Sequence, residues 1–196
     1  MTPRRWPLRP AVAEHLLLVG MMGAGKSTVA RLVAARLDRP WVDTDREVER
    51  LAGSPVRAIF SARGEAEFRA RESSVLAAVL ADEVPAVVSV GGGAILDPTQ
   101  RAALRHGGTV VWLRARPETL VRRVGRNADR PLLASDPGGP AAALTRIEAE
   151  RRALYEEVAG VVIDVDELSA AAVADRVVAA TRTQTGEQAM PSEGSR

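Results

Sequence analysis

Gly20-Met21-Met22-Gly23-Ala24-Gly25-Lys26-Ser27 sets a lysine and a hydroxyl at the end of a glycine-rich loop, with the spacing G-x-x-x-x-G-K-[ST]. Such a loop turns backbone N–H groups towards an anion, and a helix starting there adds the positive end of its dipole. The chemistry implied is the binding of a nucleoside triphosphate. Lysine plus arginine total 27, and Lys26 is the only lysine among them. A compact ammonium on a flexible stem fits inside a loop wrapped round the β- and γ-phosphates, where a planar guanidinium would not. Gly23, Ala24, Gly25, Lys26, Ser27 and Thr28 are therefore the candidate nucleotide-binding positions.

A second group of residues suits phosphoryl transfer to an alcohol. Trp41-Val42-Asp43-Thr44-Asp45 carries two carboxylates one residue apart, and side chains at that spacing on an extended segment share a face. One would hold magnesium or its waters together with the Ser27 hydroxyl, and the other would accept a proton or hydrogen bond from the acceptor. Thr44 or Asp45 is also a candidate N-cap for the helix beginning at Arg46. Val87-Val88-Ser89-Val90-Gly91-Gly92-Gly93 ends an apolar run in three glycines, which expose backbone amides and let a ligand approach closely. Ser89 stands near the end of that run, where many phosphate-loop proteins carry an aspartate, which moves the magnesium role towards Asp43. Arg69, Arg130 and Arg151 supply guanidinium groups, although in so arginine-rich a chain any one of them alone reads as a solvated charge.

Five short apolar segments are expected to be strands and to position these groups: His15 to Gly20, Pro40 to Asp43, Ala86 to Val90, Thr109 to Leu113 and Val161 to Asp164. Helical patterns separate them; in the first, Val29, Leu32, Val33 and Leu37 form one apolar stripe. Strands alternating with helices predict an α/β fold with a parallel sheet, ligands binding at the carboxyl ends of the strands. Thr44 to about Ser74 is too long for one crossover helix and reads as several short helices that bind the acceptor. Gly125 to Gly139 is rich in helix breakers and reads as a loop that closes over the site.

The chain has 196 residues, 46% of them hydrophobic, which suits one domain with a sizeable core. Cysteine is absent and there are two histidines, so disulfides, thiolate metal sites and a histidine cluster are excluded. No apolar run is long enough for a membrane span, and residues 1–13 do not read as a signal peptide, so a cytoplasmic protein is expected. The formal charge of +2 is nearly balanced and the charges interleave along helices, with no basic stripe for nucleic acid. Residues 183–196 are polar and aperiodic and read as a mobile tail.

Taken in order, Gly20 to Thr28, Asp43-Thr44-Asp45, Ile59-Phe60 to Glu72 with its Phe68-Arg69, Gly91-Gly92-Gly93, Arg130-Pro131-Leu132-Leu133 and Arg151 to Tyr155 resemble the shikimate kinase family. The resemblance covers about residues 14–182. It implies a three-layer P-loop kinase fold of the nucleoside monophosphate kinase type, with a five-stranded parallel sheet, an acceptor-binding insertion at about 44–74 and a lid at about 125–139. It also implies transfer of the γ-phosphoryl group of ATP to the 3-hydroxyl of shikimate, with one Mg2+ accompanying ATP. By that resemblance Asp45 binds the acceptor hydroxyls and serves as base or orienting acceptor. Arg69, Arg151 and the amides of Gly91, Gly92 and Gly93 hold the shikimate ring and carboxylate. Arg130 reaches the phosphates from the lid opposite Lys26, Arg123 lies against adenine, Ser27 ligates magnesium and Asp43 holds its waters. ATP and shikimate are the expected partners, with a monomer as the default assembly.

Two other readings use the same residues. A kinase of this fold acting on gluconate or a nucleoside monophosphate would use the arginine pair on a different anion. An ATP-binding module without catalysis would have no reason to keep Asp45, Arg69, Arg130 and Arg151 together. A guanine-reading switch is excluded, because its Asn-Lys-x-Asp signature needs a second lysine. The acidic stretch Asp164-Val165-Asp166-Glu167 is unexpected for a loop bordering adenine.

Overall fold

The computed structural model describes residues 14–124 and 138–187, with side chains to residue 181. Its strands are β1 (His15–Val19), β2 (Trp41–Asp43), β3 (Val87–Ser89), β4 (Gly108–Arg114) and β5 (Val161–Asp164). They form one parallel sheet in the order β2-β3-β1-β4-β5. All five segments expected to be strands are strands. The central strand, β1, is buried along its whole length, as its unbroken apolar run requires between two helical layers.

The helices are α1 (Lys26–Leu37), α2 (Thr44–Ala52), α3 (Val56–Leu80), α4 (Pro98–Gly107), α5 (Pro117–Val124), α6 (Gly139–Val158) and α7 (Ala170–Glu187), with a short 3-10 turn at Ala94–Leu96. α1 packs against α7, whereas α6 packs against α4 and α5, and these two groups sandwich the sheet in the expected three layers. One large core lies between them, centred on Leu16, Leu17, Leu18, Val88, Val111 and Leu113. A smaller cluster of Val48, Ile59, Phe68 and Val75 joins α2 to α3, so the insertion has its own apolar seam.

α3 carries the break that the Arg63-Gly64-Glu65 sequence suggests. Gly64 has φ 81 and ψ 173, a conformation essentially reserved for glycine, and the helix resumes beyond it in a new direction. Past the break, Phe68, Glu72, Val75 and Leu76 are buried at helical spacing, and this seats the second half of α3 against the sheet. The stretch from Thr44 to Ser74 thus holds α2 and the two helical pieces of α3 that meet at Gly64, the run of several helices expected there. At the carboxyl end α7 runs through Glu187, past residue 183 where the tail was expected to begin. The expected lid lies almost wholly outside the described residues, as do residues 1–13. Among the described residues no helix is long and apolar enough to cross a membrane.

Candidate active site

The loop between β1 and α1 forms as its glycines require. Gly23 has φ 84, and a Cβ there would stand 2.5 Å from Val124 Cγ2, so α5 can rest on the loop only because this residue is glycine. Gly25, in the left-handed conformation, is the N-cap of α1, and Ser27 and Thr28 occupy its first turn. The Lys26 ammonium lies back over the loop, donating to Gly20 O at 2.8 Å and Met21 O at 3.2 Å. Ser27 Oγ and Ser89 Oγ are 3.4 Å apart, which brings the first turn of α1 to the end of β3.

The two aspartates do not share one extended face. β2 ends at Asp43, whose Oδ1 accepts from Arg46 N at 3.3 Å, so Asp43 is the N-cap of α2 and Asp45 already belongs to the first helical turn. The cap was expected at Thr44 or Asp45. Thr44 is instead fully buried, and its hydroxyl accepts from Gly91 N at 2.9 Å, tying the glycine turn to the start of α2. Asp43 and Ser89 are cross-strand neighbours. Asp45 lines the cleft.

That cleft has a volume of about 760 Å³. One end is lined by Gly23, Gly25, Lys26, Ser27, Thr28, Arg123 and Val124, and the other by Asp45, Val56, Phe60, Phe68, Arg69, Glu72, Gly92, Gly93 and Arg151. Arg123 Nη2 donates to Val165 O at 2.9 Å and its Nη1 to Ala24 O at 3.4 Å, joining the loop after β5 to the phosphate loop. Arg130, the remaining predicted cation, lies outside the described residues.

The glycine turn is gripped from two sides. Arg151 Nη1 and Tyr155 OH both donate to Gly92 O, at 2.8 and 3.2 Å. Tyr155 is buried and stacks on Trp112 with ring centroids 5.5 Å apart. Burial pushes its hydroxyl up to about 12, so it remains a donor throughout the neutral range. On the other side the Arg69 guanidinium abuts Gly93 so closely that any Cβ there would overlap it.

Arg69 is held by two carboxylates: Nη2 donates to Glu65 Oε1 at 3.0 Å and Nη1 to Glu72 Oε2 at 2.7 Å. Glu72 is 1% exposed, and its Oε1 is buried without a hydrogen-bond partner. Burial pushes the Glu72 carboxyl above the usual range against the opposing pull of Arg69, and the nearby Asp45 adds to the rise. A Cβ on Gly91 would collide with both Glu72 Oε1 and Asp45 Oδ1, so the glycine is what lets the two carboxylates close on the turn.

Glu72 and Thr44 were not among the predicted site residues. An arginine followed three positions later by a glutamate reads in sequence as a surface ion pair, and only the burial of Glu72 separates it from the exposed pairs elsewhere on this chain. Glu49, whose Oε1 accepts from Val56 N at 2.9 Å and so caps α3 from α2, has no sequence signal at all, since the residue preceding Val56 is a proline.

A parallel sheet with its glycine loop after β1, opening into a cleft with that loop at one end and guanidinium groups at the other, defines a P-loop small-molecule kinase. The family model Shikimate kinase (SKI) matches residues 22–182, and the chain belongs to the shikimate kinase family. A shikimate kinase of Nitrobacter winogradskyi is 47% identical over 74% of this chain and 66% of its own length. One from Ralstonia nicotianae is 43% identical over 84% of this chain and 85% of that protein. Among solved structures, shikimate kinase from Acinetobacter baumannii in complex with shikimate superposes with a TM-score of 0.82 at 35% identity, covering 87% of this chain and 94% of that one.

Proposed function

We propose that this chain transfers the γ-phosphoryl group of ATP to the 3-hydroxyl of shikimate, forming ADP and shikimate 3-phosphate, with the residue roles that follow. The observation that carries this reading is the grouping of Asp45, Arg69 and Arg151 around the Gly91–Gly93 turn, in the same cleft as Lys26. Two guanidinium groups suit a carboxylate through fork-shaped hydrogen bonds. Arg69 and Arg151 thus hold the acceptor's carboxylate, while the glycine amides and the Asp45 carboxylate meet its ring and hydroxyls. Phe60 and Phe68, with ring centroids 4.8 Å apart, give that end of the cleft an apolar wall.

The acceptor oxygen attacks the γ-phosphorus as the bond to the β-γ bridging oxygen breaks. Asp45 orients the attacking hydroxyl and takes its proton. Such a reaction asks the protein mainly for alignment and for stabilisation of charge on the moving group. Lys26 exchanges the carbonyls of Gly20 and Met21 for phosphate oxygens, the loop amides and Arg130 complete the cradle, and Arg123 flanks adenine. Ser27 would hold one magnesium ion and Asp43 would hold its waters. The closeness of the Ser27 and Ser89 hydroxyls, with Asp43 beside Ser89 in the sheet, gives the all-oxygen surroundings that suit this hard cation. The chemistry such an ion would supply is neutralisation of phosphate charge and polarisation of the group to be transferred. The enzyme works as a monomer.

The test is ADP release from Mg-ATP with shikimate, gluconate, a set of nucleoside monophosphates or no acceptor. Release with shikimate, matched mole for mole by shikimate 3-phosphate, is the expected result. Release with another acceptor and none with shikimate would overturn the assignment of Arg69 and Arg151.

A further inference from the structure

The carboxylates at the end of β5 and just after it are out of place beside a polyanionic nucleotide, and the structure accounts for them. Asp164 takes two hydrogen bonds from Arg114, at 2.5 and 2.8 Å. Asp166 turns to the start of α5, where it accepts from Arg116 N at 2.9 Å and from the Thr119 hydroxyl, with Arg116 Nε at 3.3 Å. Burial pushes the Asp166 carboxyl up, but these donors and the Arg116 charge together hold it below the usual range. α5 opens Arg116-Pro117, and an arginine side chain has no acceptor atom with which to cap a helix. The cap comes instead from a residue 50 positions further along the chain.

The same loop also holds the far end of α5. Arg123, in the last turn, donates to Val165 O and to Ala24 O, and Val124 packs against Gly23. Val165 and Asp166 therefore clamp the helix at both ends. Arg123 lines the cleft, whereas Asp166 is not among the residues that line it.

We propose that Asp166 is a positioning residue for the nucleotide: by capping α5 from the loop after β5, it sets the Arg123 guanidinium at the end of the cleft that takes the base. This rests on the reading of Arg123 as a nucleotide contact. Losing a helix cap of this kind is expected to weaken ATP binding about fivefold in Asp166→Ala. Shikimate affinity should be unchanged, and Asp166→Asn, which keeps an acceptor oxygen, should recover most of the loss.

Calorimetric Kd values for ATP and for shikimate, in Asp166→Ala, Asp166→Asn, Arg123→Ala and the Asp166→Ala/Arg123→Ala double variant, test this. Support is a selective loss of ATP affinity in Asp166→Ala and a double variant no worse than Arg123→Ala alone. Equal weakening of both ligands, an unchanged ATP Kd in Asp166→Ala, or full additivity with Arg123→Ala overturns the proposal. Unchanged ATP affinity in Arg123→Ala would instead remove the reading beneath it, and the proposal with it. Should Asp166→Ala fail to fold, Thr119→Val removes one donor to the cap within a nearly isosteric side chain. A weaker ATP Kd with shikimate unaffected then supports the proposal, and an unchanged one overturns it.

Discussion

Arg69 Nη1 donates to Glu72 Oε2 at 2.7 Å, and through this contact a buried carboxylate holds the guanidinium against Gly93. Glu72→Gln keeps the shape but gives up a charge-assisted hydrogen bond, so the KM for shikimate should rise roughly tenfold with the KM for ATP nearly unchanged. Equal changes in both would show that Glu72 serves the fold alone.

Glu72 also makes stability depend on pH. Its folded-state carboxyl is raised by burial, so the folded chain binds this proton more tightly than the unfolded chain does. The contribution is therefore complete below the ordinary glutamate value, about 4.3, and is lost as pH rises through the raised one. Denaturation at a series of pH values should show the stability of the unaltered protein falling, relative to Glu72→Gln, as pH rises from the acid range towards neutrality.

Lys26→Ala removes the ammonium from the phosphate loop and should lower kcat by roughly a hundredfold to a thousandfold, the usual loss for a group that stabilises charge in the transition state. Lys26→Arg should not restore it, because a guanidinium does not fit within the loop. Steady-state rates at saturating substrates decide both points; a near-normal rate in Lys26→Ala would end the phosphate-loop reading.

Asp45→Asn should abolish most phosphoryl transfer while ATP binding, followed by calorimetry, is largely kept. Loss of ATP affinity instead would place Asp45 at the metal and exchange its role with that of Asp43.

Gly93 has φ −96, so alanine meets no backbone penalty there, but its Cβ would overlap the Arg69 guanidinium. Gly93→Ala should raise the KM for shikimate by displacing Arg69, with a folded chain by circular dichroism. An unaltered KM would mean that Arg69 can hold the acceptor from another position.

His15 lies at the entry to the sheet, its Nδ1 accepting from Ala86 N and its Nε2 paired with Asp82 O, each at 3.1 Å. His15→Phe fills the space and leaves a buried amide without a partner, at a cost of about 1–3 kcal/mol. A lower melting temperature with unchanged KM values is the expected outcome.

The order of strands and helices was legible because burial between two helical layers demands unbroken apolar runs in the strands and a 3.6-residue stripe in the helices, and both survive as patterns along a chain. The phosphate loop was legible for a related reason: it is local, built from consecutive residues whose backbone does the work. Gly64 announced its break in the same way. Residue type alone could not rank the arginines and carboxylates: the resemblance singled out Arg69 and Asp45, but Glu72 and Glu47, each three positions from an arginine, look alike on paper. Glu72 is buried beside the glycine turn, whereas Glu47 and its Arg50 lie on the surface, and that difference arises only when α3 bends and the sheet brings β3 beside β2. Tertiary structure alone decided that Asp43 caps a helix, that Thr44 anchors Gly91, and that Asp166 caps α5 from a distant loop. Each of these is a contact between segments far apart in the chain, or a choice of helix boundary made by such a contact, and neither leaves a periodic trace in the order of residues.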